Sequence, residues 1–219
     1  MKPESKFRPK SRTRIQIQVS GGFWLLIIWF GLVNGWKLLF LILSAATLHE
    51  MGHWLVLRCM HVKITALRLS IFGAEIISGN LALSYGRELL AVLAGPAVNL
   101  LCACILSQLH QDTAAGVHLV LCVLNLLPIR PLDGGRSLYL LLSWIAGPAL
   151  GEWILRWIGG SCALFLAAIL LWLMFSGCGS LWLLPAAAAF FETALSEWFY
   201  RTDFDDFHTK KKASIFSID

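Results

Sequence analysis

Six stretches of this chain, roughly residues 21–35, 37–60, 89–109, 114–130, 157–176 and 180–199, are apolar. Their lengths approach the ~20 residues a helix needs to cross bilayer hydrocarbon. A soluble particle made from 219 residues lacks the polar surface to cover them. Hydrophobic residues make up 58% of the chain and charged residues 14%, against about 45–50% and about 25% in soluble domains. Mean hydropathy is +0.71. A cytosolic globular enzyme and an intrinsically disordered chain are both excluded. The ten Trp residues suit a bilayer, whose interfaces anchor indole rings.

Six crossings put both termini on one side, and the distribution of positive charge says which. With the N-terminus inside, the outer loops near 34–37, 109–114 and 176–180 carry Lys37 and no other Lys or Arg. The remaining 17 of the 18 Lys and Arg fall inside, which is the bias of a cytosolic face. The net charge of +5 is therefore a topology signal and an anionic-lipid contact rather than a nucleic-acid patch. The expected organisation is a basic cytosolic tail over 1–20, a membrane domain over 21–199 and a charged cytosolic tail over 200–219. Residues 132–151 contain Gly134, Gly135, Gly147 and Pro148 and read as an interfacial helix plus turn, or as an extension of the fourth span. The segment 62–80 is rich in β-branched residues and reads as a short membrane-associated β-hairpin on the cytosolic side. Its edge must be buried in protein or face water, which makes it a surface for an extended peptide. The fold class is thus an all-α polytopic membrane protein of about six transmembrane helices with that hairpin. The six cysteines form no CxxC pair and read as small hydrophobes.

Charge at bilayer depth is costly and usually functional. Glu50 lies in the second apolar stretch, within His49-Glu50-Met51-Gly52-His53. On a helix, histidines at i and i+4 share a face and can reach one Zn²⁺. Glu50 then stands beside the first ligand, placed to act on water rather than on the metal. A zinc site of this kind takes three protein ligands. Asp133 is the leading third: twelve residues separate Lys37 from His49 and sixteen separate Val117 from Asp133. These runs correspond to about 18 and about 24 Å of inward-running helix, so both residues reach the cytosolic half. Pro128 and Pro131 interrupt the helix there and free backbone groups. The alternative role for Asp133 is a cap on the next helix. His61 and His110 read as interfacial, Glu192 and Glu197 as meeting the inner surface. His118 stands too far from Asp133 in depth to share its metal.

The intramembrane His-Glu-x-x-His, the segment Gly95-Pro96-Ala97-Val98-Asn99, and the run from Asn125 through Pro128 to Leu132-Asp133-Gly134 together resemble the site-2 protease family of intramembrane zinc metalloproteases. The resemblance covers roughly residues 20–200, and the run Asn125–Arg136 is most similar to the sporulation branch, which processes a sigma-factor precursor. It implies one Zn²⁺ per chain held by His49, His53 and Asp133, with Glu50 as general base. It also implies that Asn125, Pro128 and Pro131 hold substrate backbone, and that the 62–80 hairpin pairs with substrate. The implied partners are a membrane-spanning or membrane-associated protein substrate, the lipid bilayer and a membrane-bound regulator, with no nucleic acid. The implied setting is a bacterial cell membrane. Arg130 departs from the pattern, standing where an apolar residue is more usual. The inner loops are too short for an inserted PDZ domain, and twenty tail residues are too few for the nucleotide-sensing domain of the sporulation branch. A divalent-cation transporter would need polar groups through both leaflets, and the outer halves offer little beyond His118 and Asn99. A catalytically silent adaptor has no use for an intact His-Glu-x-x-His.

Overall fold

A computed structural model describes residues 16–19, 21–62, 64–70, 73–78, 83–176 and 183–199. Most of the basic tail, the tail 200–219 and Cys178 lie outside these described residues. Among them the order is β1 (Gln16–Val19), α1 (Gly21–Asn34), α2 (Trp36–Cys59), β2 (Ile64–Ser70), β3 (Gly73–Ser78), α3 (Tyr85–Gln108), α4 (Asp112–Asn125), α5 (Asp133–Ala146), α6 (Pro148–Phe175) and α7 (Leu183–Phe199).

Each of the six apolar stretches contributes a helix, but the helices are unequal. Among the described residues, α2, α3 and α6 are long and apolar enough to cross a membrane. A helix of 24 residues measures about 36 Å, against about 30 Å of hydrocarbon. The helices α1 and α4 have 14 residues each and α7 has 17, so six full-length spans are not matched helix for helix. The causes are local. α1 ends at Gly35, whose φ of 88° breaks the helix. α4 ends just before Pro128, which has no N–H to continue it. In the other direction, α6 starts at Pro148 rather than 157, because proline is accommodated in a first helical turn and Gly147 before it has φ 90°.

Large apolar side chains stand exposed along the helices, among them Phe40, Leu101, Trp144, Phe165, Trp172 and Phe175. An apolar exterior of this extent suits lipid rather than water. Inside, α3 is the hub and packs against α2, α4 and α5, while α5 packs on α6 and α6 on α7. Small residues let the helices approach. A Cβ at Gly52 of α2 would lie 2.7 Å from the Ala94 carbonyl oxygen of α3. His61 and His110 do stand at segment ends, as left-handed residues with φ 58° and 55°. After each, an N–H turns back on the helix, Val62 to Leu57 O at 3.0 Å and Gln111 to Leu106 O at 2.9 Å. Their role is to close α2 and α3.

The three strands form one sheet in the order β1-β2-β3. β2 and β3 are antiparallel, with Leu67 opposite Ile76 and an irregularity between Ile64 and Ala66. β1 lies parallel to β2, with Gln16 opposite Ala66. β1 comes from residues expected to belong to the basic tail.

Candidate metal centre

The buried positions of α2 include Ala45, His49 and Gly52, a stripe at three- and four-residue spacing that faces α3. The opposing stripe on α3 steps by one turn through Ala91, Gly95, Asn99 and Ala103, all buried. Three successive turns of it each meet a histidine. His53 donates its Nδ1 hydrogen to the Ala91 carbonyl oxygen at 2.8 Å, which leaves the Nε2 lone pair free to ligate. Gly95 leaves room for both rings: a Cβ there would overlap Nε2 of His53 and lie 2.7 Å from Nε2 of His49. The Asn99 amide lies 3.0 Å from Nδ1 of His49. The two imidazoles meet edge to face, with centroids 4.8 Å apart.

Asp133 reaches the same point from the opposite side. It is the first residue of α5, with Leu132 as the extended residue before it. The chain enters α5 through a tight loop after α4, and α5 rests directly on that loop. A Cβ at Gly134 would overlap the Leu126 and Leu127 backbone, and one at Gly135 would lie 2.6 Å from the Ile129 carbonyl. Ile129 is fully buried. This seating aims the Asp133 carboxylate at the histidines, with Oδ2 2.9 Å from His49 Nε2 and 3.2 Å from His53 Nε2. The two Nε2 atoms are 3.1 Å apart. The three residues form a group that could hold a metal ion. Ligands at about 2.0–2.1 Å around a tetrahedral Zn²⁺ stand roughly 3.3 Å from one another, so the observed triangle is nearly of that size. Two neutral imidazoles and one carboxylate are also a donor set that zinc favours. Glu50 lies outside the converging group, half-buried on α2 beside His49.

Of the residues expected to hold substrate, none belongs to the converging group. Asn125 turns its amide back to donate to the Leu121 carbonyl at 3.0 Å. Pro128 is half-buried, and its carbonyl faces α6, 2.9 Å from where a Cβ on Gly159 would be. Pro131 is exposed and follows a cis peptide bond from Arg130.

Two features were not legible as site components. His118 is not in the metal group, yet it is buried, and its Nδ1 lies 3.1 Å from Oδ1 of Asn99. His118, Asn99 and His49 thus form one chain. Glu197, expected at the inner surface, is instead buried with 2% of its side chain exposed. It lies 3.3 Å from Nε of Arg130, whose Nη2 is 2.6 Å from Glu152 of α6. The signal for this cluster was Arg130 itself. A cation between two prolines in an apolar run needs acidic partners, and α6 and α7 carry them. Glu192 is exposed.

An apolar bundle with a His-His-Asp centre buried between α2, α3 and α5 defines an integral membrane protein with a zinc-type metal site. In fold the chain is similar to the site-2 protease of Methanocaldococcus jannaschii, with a TM-score of 0.63 and 26% identity over 85% of this chain and 91% of that one. In sequence it is 38% identical, over 86 residues, to a protein of Neisseria meningitidis serogroup A that carries the provisional name of zinc metalloprotease. That match takes in 38% of this chain and 18% of the relative, so the chain spans less than a fifth of the relative's length. No protein-family model matches the chain. Fold, motif order and donor set thus agree in their likeness to a site-2 protease.

Proposed function

We propose that this protein is an intramembrane zinc metalloprotease that cleaves a peptide bond of a membrane-spanning or membrane-associated protein. The observation that carries the reading is the convergence of His49, His53 and Asp133 next to Glu50 inside an apolar bundle. His49, His53 and Asp133 would hold the zinc, which would supply Lewis acidity for peptide hydrolysis. The chain's own groups do the rest. The Ala91 carbonyl fixes the ring orientation and tautomer of His53. Asp133 brings one negative charge against two neutral imidazoles, so a bound Zn²⁺ would keep a net positive charge there. Glu50 takes the proton from the attacking water and delivers it to the leaving amide nitrogen.

In the same reading, Asn125 and the Pro128–Pro131 turn hold substrate backbone beside the metal. The outer edge of β3 adds an extended substrate segment as a further strand. All six apolar helices lie in the membrane of a bacterial cell with both termini cytosolic, the short ones supported by their neighbours and by local bilayer thinning. A membrane-bound regulator acting in regulated intramembrane proteolysis, and sigma-factor activation during sporulation, rest on the likeness of the run Asn125–Arg136 to the sporulation branch.

The test is co-expression with single-pass and membrane-associated candidate substrates, including a membrane-associated sigma-factor precursor. Cleavage is scored with Glu50 intact and with Glu50→Gln. The reading fails if no cleavage depends on Glu50.

A further inference from the structure

The Asn99 side chain sits between two imidazoles, 3.0 Å from Nδ1 of His49 and 3.1 Å from Nδ1 of His118. It is fully buried, and His49 and His118 are 4% and 5% exposed, so water cannot substitute for a mismatched hydrogen bond here. A carboxamide offers a donor at one end and an acceptor at the other, and a half-turn exchanges them. Each neutral imidazole likewise has one N–H and one lone pair. The chain His49–Asn99–His118 therefore has two self-consistent settings.

In the first setting, Nδ2 of Asn99 donates to Nδ1 of His49. The His49 proton is then on Nε2, where it donates to Asp133 Oδ2 at 2.9 Å. Oδ1 of Asn99 accepts from Nδ1–H of His118. All three contacts pair a donor with an acceptor, but Nε2 of His49 has no lone pair for a metal. In the second setting, Nε2 of His49 ligates, its proton is on Nδ1, and that N–H requires an acceptor. Asn99 must then present Oδ1 to His49 and its NH₂ to His118, whose Nδ1 must accept and whose proton must be on Nε2. Each imidazole keeps one N–H throughout, so no proton is gained or lost overall.

We propose that Asn99 and His118 are positioning residues for the metal, and that zinc loading reverses the direction of the His49–Asn99–His118 hydrogen-bond chain. The inference rests on the zinc site of the proposed function. It adds that metal affinity depends on a histidine of α4 that does not touch the metal.

The test uses the full chain purified in detergent, with zinc affinity measured by chelator competition. Asn99→Leu should weaken zinc binding by about 10–100-fold, the usual cost of losing an outer-sphere partner. Asn99→Asp, which still accepts from His49, should stay within about threefold of wild type. A role in packing alone is not rescued by a buried carboxylate. His118→Leu should weaken binding by about tenfold, and His118→Gln, whose amide oxygen can accept from Asn99, should restore most of it. Nitrogen-15 spectra of histidine-labelled wild type, with His118 assigned by its loss in His118→Gln, should show its proton moving from Nδ1 to Nε2 on zinc addition. A His118 signal that zinc does not change, or an Asn99→Leu affinity within threefold of wild type, overturns the proposal. His53→Ala separates this from failure of the parent reading. If His53→Ala leaves zinc affinity intact, the metal is held elsewhere and both fall. If it abolishes binding while Asn99→Leu does not weaken it, this inference alone falls.

Discussion

Nε2 of His49 and Oδ2 of Asp133 lie 2.9 Å apart although 84 residues separate them in the chain. The contact joins the middle of α2 to the first residue of α5, and α5 owes its seat to Gly134 and Gly135. Removing the carboxylate's charge while keeping its shape therefore probes the third donor. Asp133→Asn should lower zinc affinity by more than about 100-fold, beyond what outer-sphere losses cause. Asp112→Asn, at the exposed start of α4, should change it by less than about twofold. Chelator competition on the two variants checks this, and equal affinities would remove Asp133 from the ligand set.

Glu50 is on the same helix as the histidines but outside the converging group. Activity and metal content should therefore separate. Glu50→Gln should reduce cleavage by at least about 10²-fold, the scale of general-base assistance. Zinc measured on the purified variant should stay near one per chain. Loss of zinc in parallel with activity would mean that Glu50 ligates.

Gly95 is constrained by the rings it faces. Gly95→Ala would press a methyl onto both Nε2 atoms and push α3 away from α2. Zinc affinity should fall by at least about tenfold. Gly86→Ala, on the same helix with its nearest neighbouring atom 4.0 Å away, should leave affinity unchanged. Equal behaviour of the two would show that the helices yield more readily than close packing allows.

Arg130 pairs with two carboxylates inside the bundle. Arg130→Met removes the partner that Glu152 and Glu197 share and should destabilise the protein by about 3–5 kcal/mol. Arg136→Met breaks a pair with Glu88 in which the arginine is 55% exposed, and should cost no more than about 1 kcal/mol. Replacing all three buried partners, as Arg130→Met, Glu152→Gln and Glu197→Leu, should recover most of the loss. Thermal unfolding midpoints in detergent rank the variants, and an unchanged midpoint for Arg130→Met would make the cluster energetically silent.

On the six-span reading, 17 Lys and Arg fall inside against one outside, which makes a topological prediction. A reporter active only in the cytosol should work when fused after residue 200, and a periplasmic-type reporter at the same point should not. The opposite result would mean an odd number of crossings.

The grouping of His49, His53 and Asp133 was legible in the sequence because its logic is short-range. His49 and His53 are one helical turn apart, and two prolines and two glycines mark where Asp133 must turn inward. The helix positions were legible too, since apolar runs must be covered by lipid or protein. Helix lengths were less so. Where α4 stops and α6 starts is decided by Pro128 and Pro148 rather than by hydropathy, which runs on past both. His118 and Glu197 escaped because depth along a span says nothing about rotation around it. Depth separates His118 from Asp133, but rotation about α4 brings it to Asn99 on α3. Glu197 lies near a helix end, but its partner arrives from a loop 67 residues earlier.

The Arg130 cluster changes what kind of object the metal site is. Both histidines belong to α2, which leans on α3 and α4. Asp133 belongs to a loop and helix that Arg130 fastens to α6 and α7. The donors therefore straddle a seam between two sub-bundles, and the metal would work as a rivet across it. Any motion that slides one sub-bundle past the other must deform the triangle of His49, His53 and Asp133, so a bound ion would resist that motion.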